Sequence, residues 1–277
     1  MTVHHDKMAY GRLASLKEDA SLDKLGEMAD KLNAPRSERE KMLSGELYNV
    51  ADAELTQLRR RARKLFFSFN NTGEEETEKR DELLRALFGK CGKFVKCEPP
   101  VRFDYGCNTE VGDFFFANYN FTVLDCAPVK IGDQCFIGPN VTLATPVHPL
   151  LACDRNQRFD KDGNPVEYEY AKPITIEDNV WLASGVTVCG GVTIGHDTVI
   201  GAGSVVTRSI PAGVFAAGNP CRVIRPRTEK DKMRLPEEWS AGKAAYDAPS
   251  AKQRNALPGP AVHFFVLLSG RRAKAKS

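Results

Sequence analysis

The stretch that decides the fold is ITIEDNVWLASGVTVCGGVTIGHDTVIGAGSVV, residues 174–206. Two sets of positions repeat in it with a period of six: the anchors Ile176, Leu182, Val188, Ile194, Ile200 and Val206, and the positions four residues further on, Val180, Val186, Val192, Thr198, Ser204 and Ile210. A period of six fits neither the helical repeat of 3.6 residues nor an alternating strand. It is typical of a solenoid in which each hexad forms one short side and three hexads, about 18 residues, complete a turn.

The residue after each anchor is usually small: Glu177, Ala183, Cys189, Gly195, Gly201 and Thr207. Small residues there predict a corner at which the backbone takes a positive φ. The same phase recurs upstream at Ile131 and Ile137, and less regularly at Val111, Ala117 and Val123, so residues 101–225 are predicted to form one coil. The alternative is an apolar β-sandwich, whose strands are bounded by turn clusters every 8 to 12 residues. Consecutive hexad matches favour stacked parallel strands.

The charge balance argues against a nucleic-acid or anionic-membrane partner. The 277 residues include 39 basic and 36 acidic ones, a formal net charge of +3, with 42% hydrophobic residues. A strong footprint for polyanions needs clustered excess positive charge. The run RRRARK at 59–64 is flanked by Leu55, Leu58, Leu65 and Phe66, a spacing that favours the solvated side of a helix.

Both chain ends and the cysteines predict a cytoplasmic protein. The apolar run AVHFFVLL at 261–268 is too short to span a bilayer, and the first residues lack the apolar core of a secretory signal. The eight cysteines form no CxxC pair, which is typical of reduced, buried thiols in a reducing compartment.

The sequence divides into four parts. Residues 1–36 are predicted to be a polar extension with one amphipathic helix, and residues 37–90 to be helices capped by Ser37 and Asp52, with the last one running from the EEE triplet at 74–76 to Gly89. The coil occupies 91–227, and the tail 228–277 is predicted to be partly disordered. The hexad pattern stops at 143–173. A loop of this length in a compact domain is usually functional or disordered, and this loop carries His148.

Six segments together resemble the maltose and galactoside O-acetyltransferase family, hexapeptide-repeat transferases of the nodulation-acetyltransferase type. They are SEREKMLSGELYN (37–49), DYGCN (104–108), FANYNFTVLD (116–125), NVTLATPVHP (140–149), NVWLASGVTV (179–188) and VIGAGSVVTRSIPAGVFAAGNPCRVIR (199–225). The resemblance implies a mainly β protein, a left-handed parallel β-helix with an N-terminal α-helical segment. It also implies a homotrimer with active sites between subunits, acetyl-CoA as the acetyl donor and a sugar hydroxyl as the acceptor.

His148 is the candidate general base, because a neutral imidazole accepts a hydroxyl proton near neutral pH. The resemblance also makes Asn118 a catalytic residue and implies that Asp104, Asn118 and Asp125 line the acceptor pocket. The alternative for these corner residues is local turn hydrogen bonding, and it stays open for Asp125. Where the galactoside branch places a second acid, this chain has Cys126, which favours maltose- or glucose-type acceptors.

The resemblance further implies a groove for acetyl-CoA. Trp181 would pack beside the thioester arm, and the backbone N–H of Ser184 would meet the oxyanion. The remaining implied contacts of the donor are Ala183, Ala202, Thr207, Arg208, Arg222 and Arg225. Ala183 replaces a usual glycine and Arg208 a usual lysine; exposed arginines at the end of a coil are also commonly just solvated.

Three other functions compete with this hypothesis. A metal-dependent carbonic anhydrase needs several histidines around one ion, and only two of the five, at 148 and 196, fall in the coil, so no metal is expected. An acetyltransferase of xenobiotics or antibiotics differs mainly in the acceptor loop, and a noncatalytic trimeric scaffold would keep only the coil. Transfer by direct attack is expected, although Cys126 and Cys153 are possible nucleophiles.

Overall fold

The computed structural model describes residues 35–233. The amphipathic helix expected within residues 1–36 and the disorder expected in the tail lie essentially outside this range. Chain contacts separate one unit, Met1–Thr228, from a second, Glu229–Ser277. Of the second unit, the described part holds one 3-10 helix, Glu229–Asp231. Among residues 35–233 there is no helix with the length and apolar character that a membrane span requires.

Within the described residues, three helices precede the coil: α1 (Glu38–Ser44), α2 (Ala53–Asn70) and α3 (Thr77–Leu87). Ser37 forms a full capping box with Glu40, and Asp52 accepts the Leu55 N–H at 3.1 Å, so both predicted caps are confirmed. The predicted bounds of the third helix are wrong at both ends. Its start is delayed because the Glu76 carboxylate accepts the Gly73 N–H at 3.0 Å and closes a turn. It ends before Gly89, where an added Cβ would lie 2.2 Å from the Cys107 oxygen.

The strands are short and follow one another closely. In chain order they are β1 (Tyr48–Asn49), β2 (Lys90–Cys91), β3 (Lys96–Cys97), β4 (Val101–Phe103), β5 (Thr109–Val111), β6 (Phe116–Ala117), β7 (Phe121–Leu124), β8 (Val129–Ile131), β9 (Phe136–Ile137), β10 (Thr142–Ala144), β11 (Pro146–Val147), β12 (Arg158–Phe159), β13 (Pro165–Val166), β14 (Tyr168–Ala171), β15 (Ile174–Ile176), β16 (Trp181–Leu182), β17 (Thr187–Cys189), β18 (Val192–Ile194), β19 (Val199–Ile200), β20 (Val205–Val206), β21 (Val214–Ala217) and β22 (Arg222–Pro226).

Three sheets form the three sides of a β-helix of about six turns. Side 1 contains β2, β5, β8, β15 and β18; side 2 contains β3, β6, β9, β16, β19 and β21, with β22 antiparallel at its end; side 3 contains β4, β7, β10, β17 and β20. Both repeating sets of residues 176–210 are buried, and the anchors lie in the largest core cluster. The predicted mainly β solenoid with an N-terminal helical segment is therefore confirmed.

The prediction that positive φ occurs at the residue directly after each anchor is wrong. Positive φ occurs at the third residue after five of the six anchors, at Asn179, Gly185, Gly191, Asp197 and Gly203, not at the first. The first position is small for a different reason: a Cβ on Gly195 would lie 2.4 Å from the backbone nitrogen of Ala212. Close stacking of the next turn, not a left-handed conformation, selects glycine there.

The turns are longer upstream than the hexads predict. Eighteen residues separate the paired Trp181 and Val199, whereas twenty separate Phe116 and Phe136. Between sides 3 and 1, the upstream corners hold residues 104–108 and 125–128, whereas only Gly190 and Gly191 occupy that corner downstream. The longer corners carry Asp104 and Asp125.

The loop at 143–173 is built from regular elements. It contains β11, the short helix α4 (Ala152–Arg155), the paired strands β12 and β13, and β14. Strand β14 lies between β1 of the N-terminal segment and β11, and pairs with both in antiparallel fashion. This small sheet ties the N-terminal segment to the loop and fixes the backbone next to His148.

Candidate active site

Three polar side chains lie in one row across the sheet of β1, β14 and β11. Tyr48 is the direct partner of Glu169, and the pairing of Val147 with Tyr170 brings the next residue, His148, opposite Glu169. The Tyr48 hydroxyl donates a hydrogen bond to Glu169 Oε1, and His148 Nδ1 lies 3.4 Å from Glu169 Oε2. The row therefore runs from a buried hydroxyl through a carboxylate to an imidazole.

Exposure to solvent increases along this row from the core to the surface. Tyr48 is fully buried, the Glu169 side chain is 7% exposed and the His148 side chain is 50% exposed. Burial raises the pKa of the Tyr48 phenol, and nearby Cys126 and Glu169 add to the effect, so the hydroxyl keeps its proton and acts as a donor. An imidazole with Nδ1 facing a carboxylate keeps Nε2 available to an incoming proton.

Asp104 lies in the corner 104–108 beside this row, and Cys126 lies in the corner 125–128 of the next turn. Cys126 Sγ lies 3.7 Å from Asp104 Oδ2, and Cys126 belongs to the same buried cluster as Tyr48. Burial raises the pKa of the Asp104 carboxyl, while the hydrogen bond from Cys126 and the charges of Arg59 and Arg63 oppose the rise. Burial also raises the pKa of the Cys126 thiol, which keeps it protonated and weakly nucleophilic.

Asp125 is fully buried in the corner formed by residues 125–128. Its carboxylate accepts hydrogen bonds from the Tyr105 N–H at 2.8 Å and from Thr109 Oγ1 at 3.0 Å. Burial raises its pKa to about 6 even though these donors and the Gly106 N–H favour the charged form. These donors lie on the adjacent turn of the coil, so the hydrogen bonds join two turns and are not local to the corner of Asp125. Contact of Asp125 with an acceptor stays a prediction.

Asn118 and Ser184 lie at the corners between sides 2 and 3. Asn118 is nearly buried, and its Oδ1 accepts the Tyr119 N–H at 2.7 Å. The neighbours of Ser184 donate their N–H groups to other turns, Ala183 to Ile200 and Gly185 to Pro139. Within residues 35–233, the Ser184 N–H itself has no hydrogen-bond acceptor. A free N–H at a rigid corner is the donor that an oxyanion requires.

Trp181 projects outward from side 2 in a column of aromatic rings. Its paired neighbours in this column are Phe136 below and Val199 above, and Phe136 pairs in turn with Phe116. Trp181 and Phe136 are 40% and 46% exposed. Half-exposed aromatic rings at successive turns form an apolar surface along which a flexible chain can lie.

The remaining predicted donor contacts lie on the later turns. Ala202, Thr207 and Arg208 are exposed corner residues, and Arg222 and Arg225 are exposed on β22. The Arg225 guanidinium lies 5.9 Å from the centre of the Phe215 ring, and Arg222 donates a hydrogen bond to the Cys221 carbonyl at 2.8 Å. Arg222 and Arg225 offer cations at the end of the coil, on the side that carries Trp181, whereas Arg208 lies at a corner between sides 3 and 1.

The predicted residues form two groups within one chain. The first, at the corners between sides 3 and 1, contains Asp104, Asp125 and His148, with Thr207 and Arg208 on a later turn. The second, at the corners between sides 2 and 3, contains Asn118, Ala183, Ser184 and Ala202. All of side 3 separates the two groups. A single chain therefore does not bring His148 to Ser184.

Sequence reasoning missed Tyr48, Glu169 and Phe136. The signal for Phe136 was present, because it precedes the anchor Ile137 as Trp181 precedes Leu182. Glu169 stands between two tyrosines in the loop, and nothing in the local pattern links it to Tyr48, 121 residues away. The described residues contain no group of His, Cys, Asp and Glu side chains arranged for a metal ion.

Three family models match this chain. The maltose acetyltransferase hexapeptide capping motif matches residues 41–92, the bacterial transferase hexapeptide model of six repeats matches 173–208, and the hexapeptide repeat of succinyl-transferase matches 128–148. Galactoside O-acetyltransferase of Escherichia coli K12 is 42% identical over 73% of this chain and 94% of its own length. A putative acetyltransferase of Saccharomyces cerevisiae is 43% identical over 69% of this chain and 94% of its own length.

Solved structures agree with these sequence matches. A maltose O-acetyltransferase from Clostridium difficile 630 is 46% identical with a TM-score of 0.65, over 71% of this chain and all of that one. A galactoside acetyltransferase in complex with coenzyme A is 41% identical with a TM-score of 0.66, over 74% of this chain and 98% of that one. A hexapeptide-repeat acetyltransferase from Vibrio cholerae, complexed with acetyl coenzyme A, is 36% identical with a TM-score of 0.61, over 70% of this chain and all of that one.

Proposed function

Because the chain belongs to the hexapeptide-repeat acetyltransferases of the galactoside and maltose O-acetyltransferase family, we propose that it transfers an acetyl group from acetyl-CoA to a hydroxyl of a mono- or disaccharide. The chain is an acyltransferase by this membership; the acceptor, the base and the order of bond changes are what we propose. The observation that carries the proposal is the half-exposed imidazole of His148 held against the buried carboxylate of Glu169.

In the proposed mechanism, His148 is the general base. Nε2 takes the proton of the sugar hydroxyl as the oxygen attacks the thioester carbonyl, and the Glu169 carboxylate stabilises the imidazolium that forms. The positive charge develops beside a carboxylate that is already present and largely desolvated, which strengthens the interaction. General-base catalysis of this kind contributes about 10² to 10⁴ in rate.

The oxyanion of the tetrahedral intermediate is proposed to meet the Ser184 N–H. This group is supplied by the backbone and has no competing acceptor among the described residues, so it needs no rearrangement before the reaction. Collapse of the intermediate breaks the carbon–sulfur bond, and the departing thiolate takes the proton from His148. The sugar ester and free CoA are the products, and no acetyl-enzyme forms.

The acceptor pocket is proposed to use Asp104, Asn118 and Asp125 as hydrogen-bond acceptors and donors for sugar hydroxyls. Asp104 is the strongest of the three, because it is only partly buried and lies next to Cys126 in the corner beside His148. Asp125 is the weakest of the three, because it is fully buried and already accepts hydrogen bonds from Tyr105 and Thr109. The thiol of Cys126 in place of an acid favours maltose- or glucose-type acceptors over galactosides.

The donor is proposed to be acetyl-CoA, with its pantetheine arm along the aromatic column of Trp181. Ala183 and Ala202 leave room for this arm at the corners, and Thr207, Arg208, Arg222 and Arg225 are proposed contacts for its polar and phosphate groups. Coenzyme A and acetyl coenzyme A are present in two of the related structures, which supports this assignment.

We also propose a homotrimer located in the cytoplasm. Each active site would combine the His148 group of one subunit with the Ser184 group of its neighbour. The separation of the two groups by side 3 supports this arrangement. The His148 group alone lacks the proposed oxyanion donor, and the Ser184 group alone lacks the proposed base.

The decisive experiment measures thiol release from acetyl-CoA over glucose, maltose, galactosides, amino sugars and chloramphenicol, with wild-type protein and His148→Ala. We expect a glucose-type sugar to stimulate release most and the variant to lose about 10²-fold or more. Stimulation by chloramphenicol alone would favour the xenobiotic alternative. Release by the variant equal to that of the wild type would overturn the role of His148.

A second measurement tests direct attack. A cysteine nucleophile, Cys126 or Cys153, would release one equivalent of CoA in a burst when acceptor is absent. We expect no burst, and Cys126→Ser should leave the acetyl transfer chemistry intact. A burst of free CoA without sugar would replace direct attack by a covalent intermediate.

A further inference from the structure

The buried carboxylate of Glu169 has an unusual set of partners. Its hydrogen bond and ion pair go to Tyr48 and His148, and within residues 35–233 no lysine or arginine pairs with it. A carboxylate that is almost wholly removed from water is costly unless its oxygens are satisfied and its charge is balanced. One oxygen is satisfied by a neutral hydroxyl, and the other is left to the imidazole.

The backbone makes this arrangement rigid. Tyr48 and Glu169 are directly paired in the antiparallel sheet, and Glu38, near the start of α1, accepts the Asn49 N–H next to Tyr48 through its side chain. The ring of Tyr48 is packed with Met42, Leu55 and Ala127 in a separate buried cluster. The hydroxyl is therefore fixed by the N-terminal helices, and Glu169 has no freedom to turn away from His148 without losing it.

We propose that Tyr48 is a positioning residue for the general base, acting through Glu169. The N-terminal segment is then part of the catalytic apparatus as well as a cap on the coil. The hydroxyl holds Oε1, so Oε2 points at Nδ1 and the imidazole presents Nε2 to the acceptor. This inference rests on the proposed role of His148 as base.

The test is Tyr48→Phe, which removes one oxygen and keeps the buried ring. We expect kcat to fall about tenfold, the effect of losing about one hydrogen bond. The KM for acetyl-CoA should not change, because Tyr48 is fully buried and is not among the proposed donor contacts. The pH–rate profile of this variant should differ from that of the wild type, because the contact between Glu169 and His148 is altered.

The matched control is Tyr168→Phe. Tyr168 precedes Glu169 on β14, so its side chain faces the other side of the sheet. It should leave kcat and the pH profile unchanged. In a Glu169→Gln background, Tyr48→Phe should add less than twofold, because both substitutions break the same contact.

Two kinetic results would overturn the inference: a wild-type kcat and pH profile in Tyr48→Phe, or an effect of the same size in the Glu169→Gln background. The ¹⁵N signals of the His148 ring give a readout that needs no turnover. Tyr48→Phe should shift the Nδ1 signal, and Tyr168→Phe should not; an unchanged signal would also overturn the inference. If no acceptor supports turnover by the wild type, the proposed function fails, while the ¹⁵N signals still decide whether Tyr48 positions the ring.

Discussion

Two buried carboxylates in this protein differ in what satisfies them. Asp125 accepts hydrogen bonds from donors fixed by the adjacent turn, the N–H groups of Tyr105 and Gly106 and the hydroxyl of Thr109. Glu169 accepts from a hydroxyl on a distant strand and faces an ionisable ring. The first arrangement closes a corner, whereas the second holds a group that can change charge during a reaction.

Asp125→Asn should remove a pH dependence of stability. The pKa of this carboxyl rises from its usual 3.8 to about 6 in the folded protein. An acid whose pKa is raised on folding stabilises the fold fully below its unfolded pKa and loses that contribution as pH rises through the folded value. Relative to Asp125→Asn, the wild type should thus lose up to about 3 kcal/mol of unfolding free energy between pH 4 and pH 7.

Urea unfolding of both proteins at one protein concentration and four pH values measures this. The hydrogen bonds that asparagine cannot accept shift the variant by an amount that does not depend on pH, so only the slope is informative. A difference between the two proteins that stays constant from pH 4 to pH 7 would mean that the hydrogen bonds hold the Asp125 pKa near its usual value.

At the scale of single residues, the sequence predicts site residues that lie in motifs and misses those whose role depends on strand pairing. His148, Trp181 and Ser184 fall within stretches whose order along the chain resembles a known family. Tyr48 and Glu169 acquire their role only when β1 and β14 pair, and the sequence between them carries no period that specifies this contact. Asp125 shows the opposite limit. It lies in a motif, but a motif does not specify in which direction a side chain points.

At the scale of the elements, the corners are the parts of the coil that depart from the period of six. The period of six predicted the strands from 174 to 206 because every strand uses the same two inward positions. It did not predict the longer corners at 104–108 and 125–128, because residues outside the core are not constrained by the repeat. Nor did it predict the sheet within the loop, since two-residue strands in a long irregular segment carry too little alternation.

Gly195→Ala should destabilise the coil more than Gly203→Ala. A Cβ on Gly195 would lie 2.4 Å from the nitrogen and 2.7 Å from the Cα of Ala212, and backbone atoms of a stacked turn cannot move aside. We expect a loss of about 2 kcal/mol or more. Gly203 has a φ of 68° but open space around it, so alanine there pays only the left-handed penalty of about 1 kcal/mol.

Thermal unfolding of the two variants ranks them. Equal losses would indicate that the turn carrying Ala212 can shift, and a larger loss for Gly203→Ala would mean that backbone conformation limits the corner more than stacking does.

Over the whole molecule, the three-sided cross-section determines how an active site can be assembled. The corner with His148 follows side 3, and the corner with Ser184 and Asn118 precedes it. In the proposed homotrimer, the threefold axis would bring one kind of corner of each chain next to the other kind of its neighbour, a heterologous contact that closes into a ring. The long corners and the loop would then serve the interface and the reaction together.

Mixed trimers test this arrangement. His148→Ala and Asn118→Ala should each be inactive alone, but trimers that contain both chains should have about a third of wild-type activity, because every mixed ring of three has one interface that pairs two intact groups. Tagging the two chains differently and purifying by both tags isolates the mixed species, in which thiol release is measured. The control is a mixture of His148→Ala with Glu169→Gln, whose changes lie in the same group. No chain in this mixture carries both an intact His148 and an intact Glu169, so any activity should match that of the Glu169→Gln subunits alone. Failure of His148→Ala and Asn118→Ala to complement each other, in mixed trimers that still bind acetyl-CoA, would mean that each site draws both residues from one chain.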